Sequence, residues 1–215
     1  VRILLDNLGK ILEGFQVTLV LFAGGTVLAL VVGTVLAAMR VSPVPPLRWA
    51  GATYVNVVRN TPLVLVFIII VFGLPELGIR LSFRTFAILA VGTYTAAFVT
   101  EALRSGINTV GAGQAEAARS LGLTFGQTLS QVVMPQAARS VIPPIGSILI
   151  AMLKNTSVAA GFGVIEATGT LRELGRDFPQ ALYWLFFGIA AGYVVLVLLL
   201  SVAFRELERR LVVLR

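Results

Sequence analysis

With 57% apolar residues and only 13% charged ones in 215 positions, and a mean hydropathy of +0.93, the chain is an integral membrane protein. Soluble domains carry about a quarter charged residues. The net charge of +7 comes from basic residues scattered singly, with only Arg209 and Arg210 adjacent, which fits membrane topology and argues against a nucleic-acid partner. Cysteine and histidine are both absent, which excludes disulfides, thiol chemistry, the usual zinc sites and any Ser-His-Asp triad.

The first apolar stretch runs from Phe15 to Ala38. It is longer than the apolar core of a secretory signal, about 7–15 residues, so it is expected to stay as a transmembrane helix. Gly24, Gly25 and Gly33 within it mark close helix packing. Pro43, Pro45 and Pro46 end the helix, and a short amphipathic piece from Leu47 to Val58 follows. Arg59-Asn60-Thr61-Pro62 resembles a helix start, with Asn60 or Thr61 as N-cap and Pro62 in the first turn. The second span is expected over Pro62 to Leu77, interrupted by Gly73 and Pro75. A third runs from Phe86 to Leu103. There Tyr94, Phe98 and Glu101 share one helical face, and Glu101 is expected to point inward.

A polar interlude from Gly111 to Pro135 separates the third and fourth spans. Gly113 to Leu121 reads as a short helix terminated by Gly122, Thr124 with Gln127 forms a capping box, and Pro135 is expected to break the second helix. An exposed helical hairpin of this kind either connects two spans or docks into a partner. The fourth span is expected over Val141 to Val164, with Pro143 and Pro144 at its start and Lys154-Asn155-Thr156-Ser157 well inside. Counted from Pro143, Lys154 lies about 16 Å in, near mid-membrane. A charge at that depth is a functional candidate, or else an ion pair with Glu101 or a partner subunit. Glu166 to Asp177 reads as a solvated charged connector, and the fifth span covers Ala181 to Phe204.

Five spans put the termini on opposite sides. An outside N-terminus leaves Arg40, Arg48, Arg59, Arg104, Arg119, Arg139, Arg205, Arg209, Arg210 and Arg215 in the cytoplasm. Only Arg2, Lys10, Arg80, Arg84, Arg172 and Arg176 then fall outside. The positive-inside rule favours this N-out, C-in arrangement, which makes the Gly111–Pro135 interlude cytoplasmic.

Glu116-Ala117-Ala118, Gly122 and Val132-x-Met134-Pro135 resemble the EAA motif of the membrane subunits of bacterial ABC importers, with Val132 and Met134 in place of the usual Ile and Leu. Arg59-Asn60-Thr61-Pro62, Phe72-Gly73-Leu74-Pro75, Gly113-Gln114 and Lys154-Asn155-Thr156-Ser157 extend the likeness to the polar amino-acid permeases across nearly the whole chain. The resemblance implies an all-α permease domain with five transmembrane helices in the cytoplasmic membrane. It also implies two ATP-binding cassette subunits, a second permease copy or similar paralogue, and an extracytoplasmic solute-binding protein. Gln114, Glu116, Ala117, Ala118, Gly122 and Pro135 would then form the ATPase-coupling element. No cofactor is expected on this chain, because ATP and Mg would bind the partner ATPase and the sequence has no phosphate loop.

Lys154, Asn155, Thr156, Ser157, Glu101 and Tyr94 are the candidate substrate path. A lysine there favours glutamate, glutamine or aspartate over arginine. An ion-coupled secondary carrier and a non-transporting scaffold are the alternatives from other classes.

Overall fold

A computed structural model describes residues 2–212, so Val1 and the predicted cytoplasmic Arg215 lie outside the described residues. Among those residues every regular element is helical. In chain order they are α1 (Arg2–Asp6), α2 (Leu8–Val41), α3 (Pro45–Arg59), α4 (Leu63–Ile68), α5 (Leu74–Glu76), α6 (Phe83–Asn108), α7 (Ala112–Ser120), α8 (Phe125–Gln127), α9 (Met134–Asn155), α10 (Ala167–Asp177) and α11 (Leu182–Val212).

Four helical stretches are long and apolar enough to cross a membrane: Leu8–Val41, Phe83–Asn108, Ser130–Phe162 and Pro179–Arg210. A fifth crossing arises only if α3 and the α4–α5 stretch count as one span, and these meet at a bend of 108°. The second predicted span is therefore a short limb set at an angle to an amphipathic helix. The polar groups at the bend close α3 instead of opening α4. Asn60 Nδ2 donates to Asn56 O (2.7 Å) and Thr61 Oγ1 to Val57 O (2.8 Å), both carbonyls of the last turn of α3, and α4 begins after Pro62 with no side-chain cap.

Helix α6 is the hub, packed against α2, α3, α4 and α9. In lipid, apolar side chains gain little by leaving one hydrocarbon for another, so helices associate where small residues let their backbones approach. The interface of α2 with α6 follows that logic. A methyl group added to Gly25 would sit 2.8 Å from Val91 Cγ1, and one on Gly33 would sit 2.6 Å from Val99 Cγ1. Thr100 Oγ1 completes the contact by donating to Ala96 O (2.7 Å), with Gly33 O also in range at 3.2 Å. Tyr54 Oη donates to Thr93 O (2.8 Å) and pins α3 to the other side of α6.

Proline does not stop the helices where expected. Pro135 lies in the first turn of α9, which continues without a break from the preceding wide-turn segment Thr128–Val133. Pro143 and Pro144 sit inside α9, not at its start. Pro75 likewise follows a wide-turn segment, Ile69–Gly73. A proline ring clashes with the carbonyl one α-turn before it, and an added residue in that turn moves the carbonyl aside. The chain thus passes the proline and stays helical.

Candidate functional site

Three sets of polar residues stand out from the apolar helices, and the hairpin between α6 and α9 is the most exposed of them. Helix α7 ends at Leu121. There Gly122 adopts φ +86°, its N–H donates to Arg119 O (2.9 Å), and Leu123 N–H donates to Ala118 O (3.2 Å). This double bond pattern needs a left-handed residue, which glycine supplies without a Cβ penalty. The next turn opens on a reciprocal cap, with Thr124 N–H donating to Gln127 Oε1 (2.9 Å) and Gln127 N–H to Thr124 Oγ1 (3.3 Å). On α7, Gln114, Glu116 and Ala117 face outward, whereas Ala118 is buried against the hairpin. Leu121, next to them, is 82% exposed. A short helix that presents small residues and one bare leucine has the shape of a knob without a socket.

The second set gathers on α2, α3 and α6. Glu101 does point inward from α6, and its carboxylate is shared by two arginines. Arg40 Nη1 from the end of α2 donates to Oε2 at 2.5 Å, and Arg104, one turn on, donates through Nη2 and Nε to Oε1. The Arg59 guanidinium lies 5.5 Å from the centre of the Phe98 ring, and Tyr94 packs on Phe98 at 5.2 Å. Arg59, Phe98, Glu101 and Ser140 line a groove of about 300 Å³.

Lys154 belongs elsewhere. It stands in the last turn of α9, where a cation suits the helix dipole, and it opens on a pocket of about 240 Å³ with Ser157, Thr168, Ala190 and Tyr193. The helix that carries Lys154 begins at Met134, not at Pro143. The alternative of an ion pair with Glu101 fails, since Arg40 and Arg104 occupy that carboxylate. Asn155 is half-buried. The buried Thr156 hydroxyl donates to Leu153 O and the Ser157 hydroxyl to Lys154 O, both at 2.7 Å, where the helix tightens into the 3₁₀ turn Thr156–Phe162. Lys154 and Glu101 therefore line two separate recesses.

The chain matches the family model described as "Binding-protein-dependent transport system inner membrane component" over residues 11–213. It is 43% identical over 216 residues to the glutamate transport system permease protein GluC of Corynebacterium glutamicum, with 95% of each chain covered. It is 36% identical to a Bacillus subtilis protein named "Probable glutamine ABC transporter permease protein GlnM", covering 98% of this chain and 97% of the relative. A crystal structure of an amino acid ABC transporter with histidines superimposes with a TM-score of 0.90 at 29% identity, over 96% of each chain.

The chain belongs to this family. It is a multi-pass inner-membrane permease of an ABC amino-acid importer.

The permease also holds a polar cluster that its sequence did not reveal. Glu166, expected in a solvated connector, is 0% exposed. Its Oε1 accepts the Gly169 N–H (2.9 Å) and caps α10, while Oε2 accepts the Tyr193 hydroxyl of α11 (2.6 Å). Thr18 Oγ1 of α2 lies 3.2 Å from Oε2 and accepts the Ala167 N–H at the same distance. One carboxyl thus ties together three helices, and Tyr193 forms part of the wall of the Lys154 pocket. The remaining charged residues of α10, Arg172, Arg176 and Asp177, are exposed as expected, and Glu173 is half-buried. The only sequence signal for the Glu166 cluster was the spacing of an acid three residues before Gly169, which is compatible with an N-cap.

Proposed function

We propose that this permease imports glutamate, glutamine or aspartate, and that it is driven by ATP hydrolysis in separate cassette subunits. The observation that carries the substrate class is the 43% identity to a protein named for glutamate transport, across 95% of both chains. The Lys154 pocket agrees with it, because among the described residues no carboxylate stands on its wall. A cationic ammonium there attracts the carboxylates of an acidic amino acid and repels an arginine side chain.

In this reading the N-terminus is outside and α7 is cytoplasmic, as the arginine distribution favours. Glu116, Ala117, Ala118 and Leu121 would seat in a cleft of the ATPase subunit, with Gln114, Gly122 and Pro135 shaping the element. Closure of the ATPase around ATP and Mg would then push on the hairpin. Because α8 and the wide turn run unbroken into α9, that push travels along one continuous rod toward Lys154. The assembly would comprise two permeases, identical or similar, two ATPase subunits and an extracytoplasmic binding protein that delivers the amino acid. Asn155 and Ser157 would meet the substrate beside Lys154. Glu101 would line the separate groove nearer the cytoplasm, with Tyr94 packed against its Phe98 wall.

Lys154→Met tests the substrate path. Lys154 is exposed and makes no ion pair among the described residues, so the variant will fold. Loss of a charge-assisted contact is worth about 1.5–3 kcal/mol, and glutamate uptake by the reconstituted importer is expected to fall about tenfold or more. Unchanged uptake and unchanged substrate-stimulated ATP hydrolysis would remove Lys154 from the path.

A further inference from the structure

We propose that the basic recess where α2, α3 and α6 meet is a binding site for the headgroup of an anionic phospholipid. The recess has a volume of about 670 Å³ and is lined by Arg40, Pro45, Pro46, Arg48, Trp49 and Arg104. Arg40 and Arg104 share the single carboxylate of Glu101. Arg48 is exposed and has no carboxylate within ion-pair distance among the described residues. The wall therefore presents three guanidinium groups against one carboxylate, and the uncompensated charge faces the opening. Guanidinium forks match the paired oxygens of a phosphodiester better than a lone ammonium would.

The setting selects a lipid over other anions. Helix α3 starts where α2 ends, beside Arg40 and Arg104, and bends by 108° into the α4–α5 limb. Beside the arginines, Trp49 is 75% exposed, and Val44 and Leu47 are exposed too. Tryptophan in that position is characteristic of the headgroup level, where its ring rests on acyl chains and its N–H reaches polar atoms. Basic pockets between membrane helices hold anionic headgroups by this combination of charge and apolar contact. Inorganic phosphate would satisfy the arginines but not Trp49, Val44 and Leu47. An acidic protein surface would need no bilayer depth.

The test uses the full chain in lipid nanodiscs. Trp49 and Trp184 are its two tryptophans, and Trp184→Phe makes Trp49 the sole reporter. Phosphatidylglycerol with brominated acyl chains is expected to quench Trp49 more strongly than brominated phosphatidylcholine at equal mole fraction. Inorganic phosphate at constant ionic strength is expected to leave that preference in place. Arg48→Gln, which breaks no contact inside the protein, is expected to lower the preference about fivefold, the effect of one arginine near a membrane surface, and Arg48→Lys to restore most of it. Equal quenching by the two lipids overturns the proposal, as does full competition by inorganic phosphate. Arg48→Gln with an intact preference overturns it too. If that variant also recovers less ATPase subunit, the recess binds an acidic protein surface instead.

Discussion

Glu166→Ala is expected to destabilise the permease by about 3 kcal/mol, because it removes the acceptor of the buried Gly169 N–H and the nearest acceptor of the Tyr193 hydroxyl, whereas the Thr18 hydroxyl keeps Gly14 O at 3.2 Å. The Gly169 N–H, the Tyr193 hydroxyl and the Thr18 hydroxyl all converge on that carboxyl, which is fully buried. For a chain of this size the loss corresponds to a fall of about 6–12 °C in the melting temperature. Glu166→Gln retains an acceptor for the Gly169 N–H and is expected to fall between the variant and the parent. A thermal melt of the detergent-solubilised chain measures the difference. Equal melting temperatures for all three proteins would mean that the cluster contributes nothing to stability.

Glu116→Lys is expected to have the opposite profile, leaving the melt unchanged while removing the importer's drive. The side chain is exposed on α7 and makes no ion pair among the described residues, so the hairpin keeps its glycine terminator and its Thr124–Gln127 cap. In the proposed contact with the ATPase subunit, reversing the charge of Glu116 would place an unpaired lysine at the interface, which costs several kcal/mol. Co-purification of the ATPase subunit should then fall about a hundredfold or more, or hydrolysis should continue without uptake. Leu121→Asp should act in the same direction, because in the proposed contact it would replace an apolar anchor by a charge. Normal recovery of the complex together with normal uptake in Glu116→Lys would place the docking surface elsewhere.

The features that could be read from the sequence are those whose causes are local. Gly122 ends α7 because a left-handed residue is required there, and Thr124 with Gln127 caps the next turn through partners three residues apart. The long apolar stretches announce membrane helices by length alone. The misses have non-local or compensating causes. Pro135 should have stopped a helix, but a wide turn just before it absorbs the missing bond and the steric clash. The helix read as starting at Pro143 starts at Met134 for the same reason.

The polar partnerships were hidden by sequence distance. Glu101 finds Arg40 on another helix, and Glu166 finds Thr18 and Tyr193 on two others. Charge density along α10 suggested solvent for all its acids, yet one of them is the N-cap that turns inward. Composition reports how many charges a segment has, and only packing decides which of them is enclosed.

This permease is expected to move an acidic or amide amino acid inward when the proposed ATPase partner hydrolyses ATP. The direct measurement is uptake of labelled glutamate, glutamine and aspartate into proteoliposomes containing the permease with its ATPase subunits, with loaded binding protein on the outside and ATP inside. ATP-dependent accumulation of at least one of the three, with no accumulation of arginine, is the predicted result. Accumulation that persists without ATP, or that favours arginine, would contradict it.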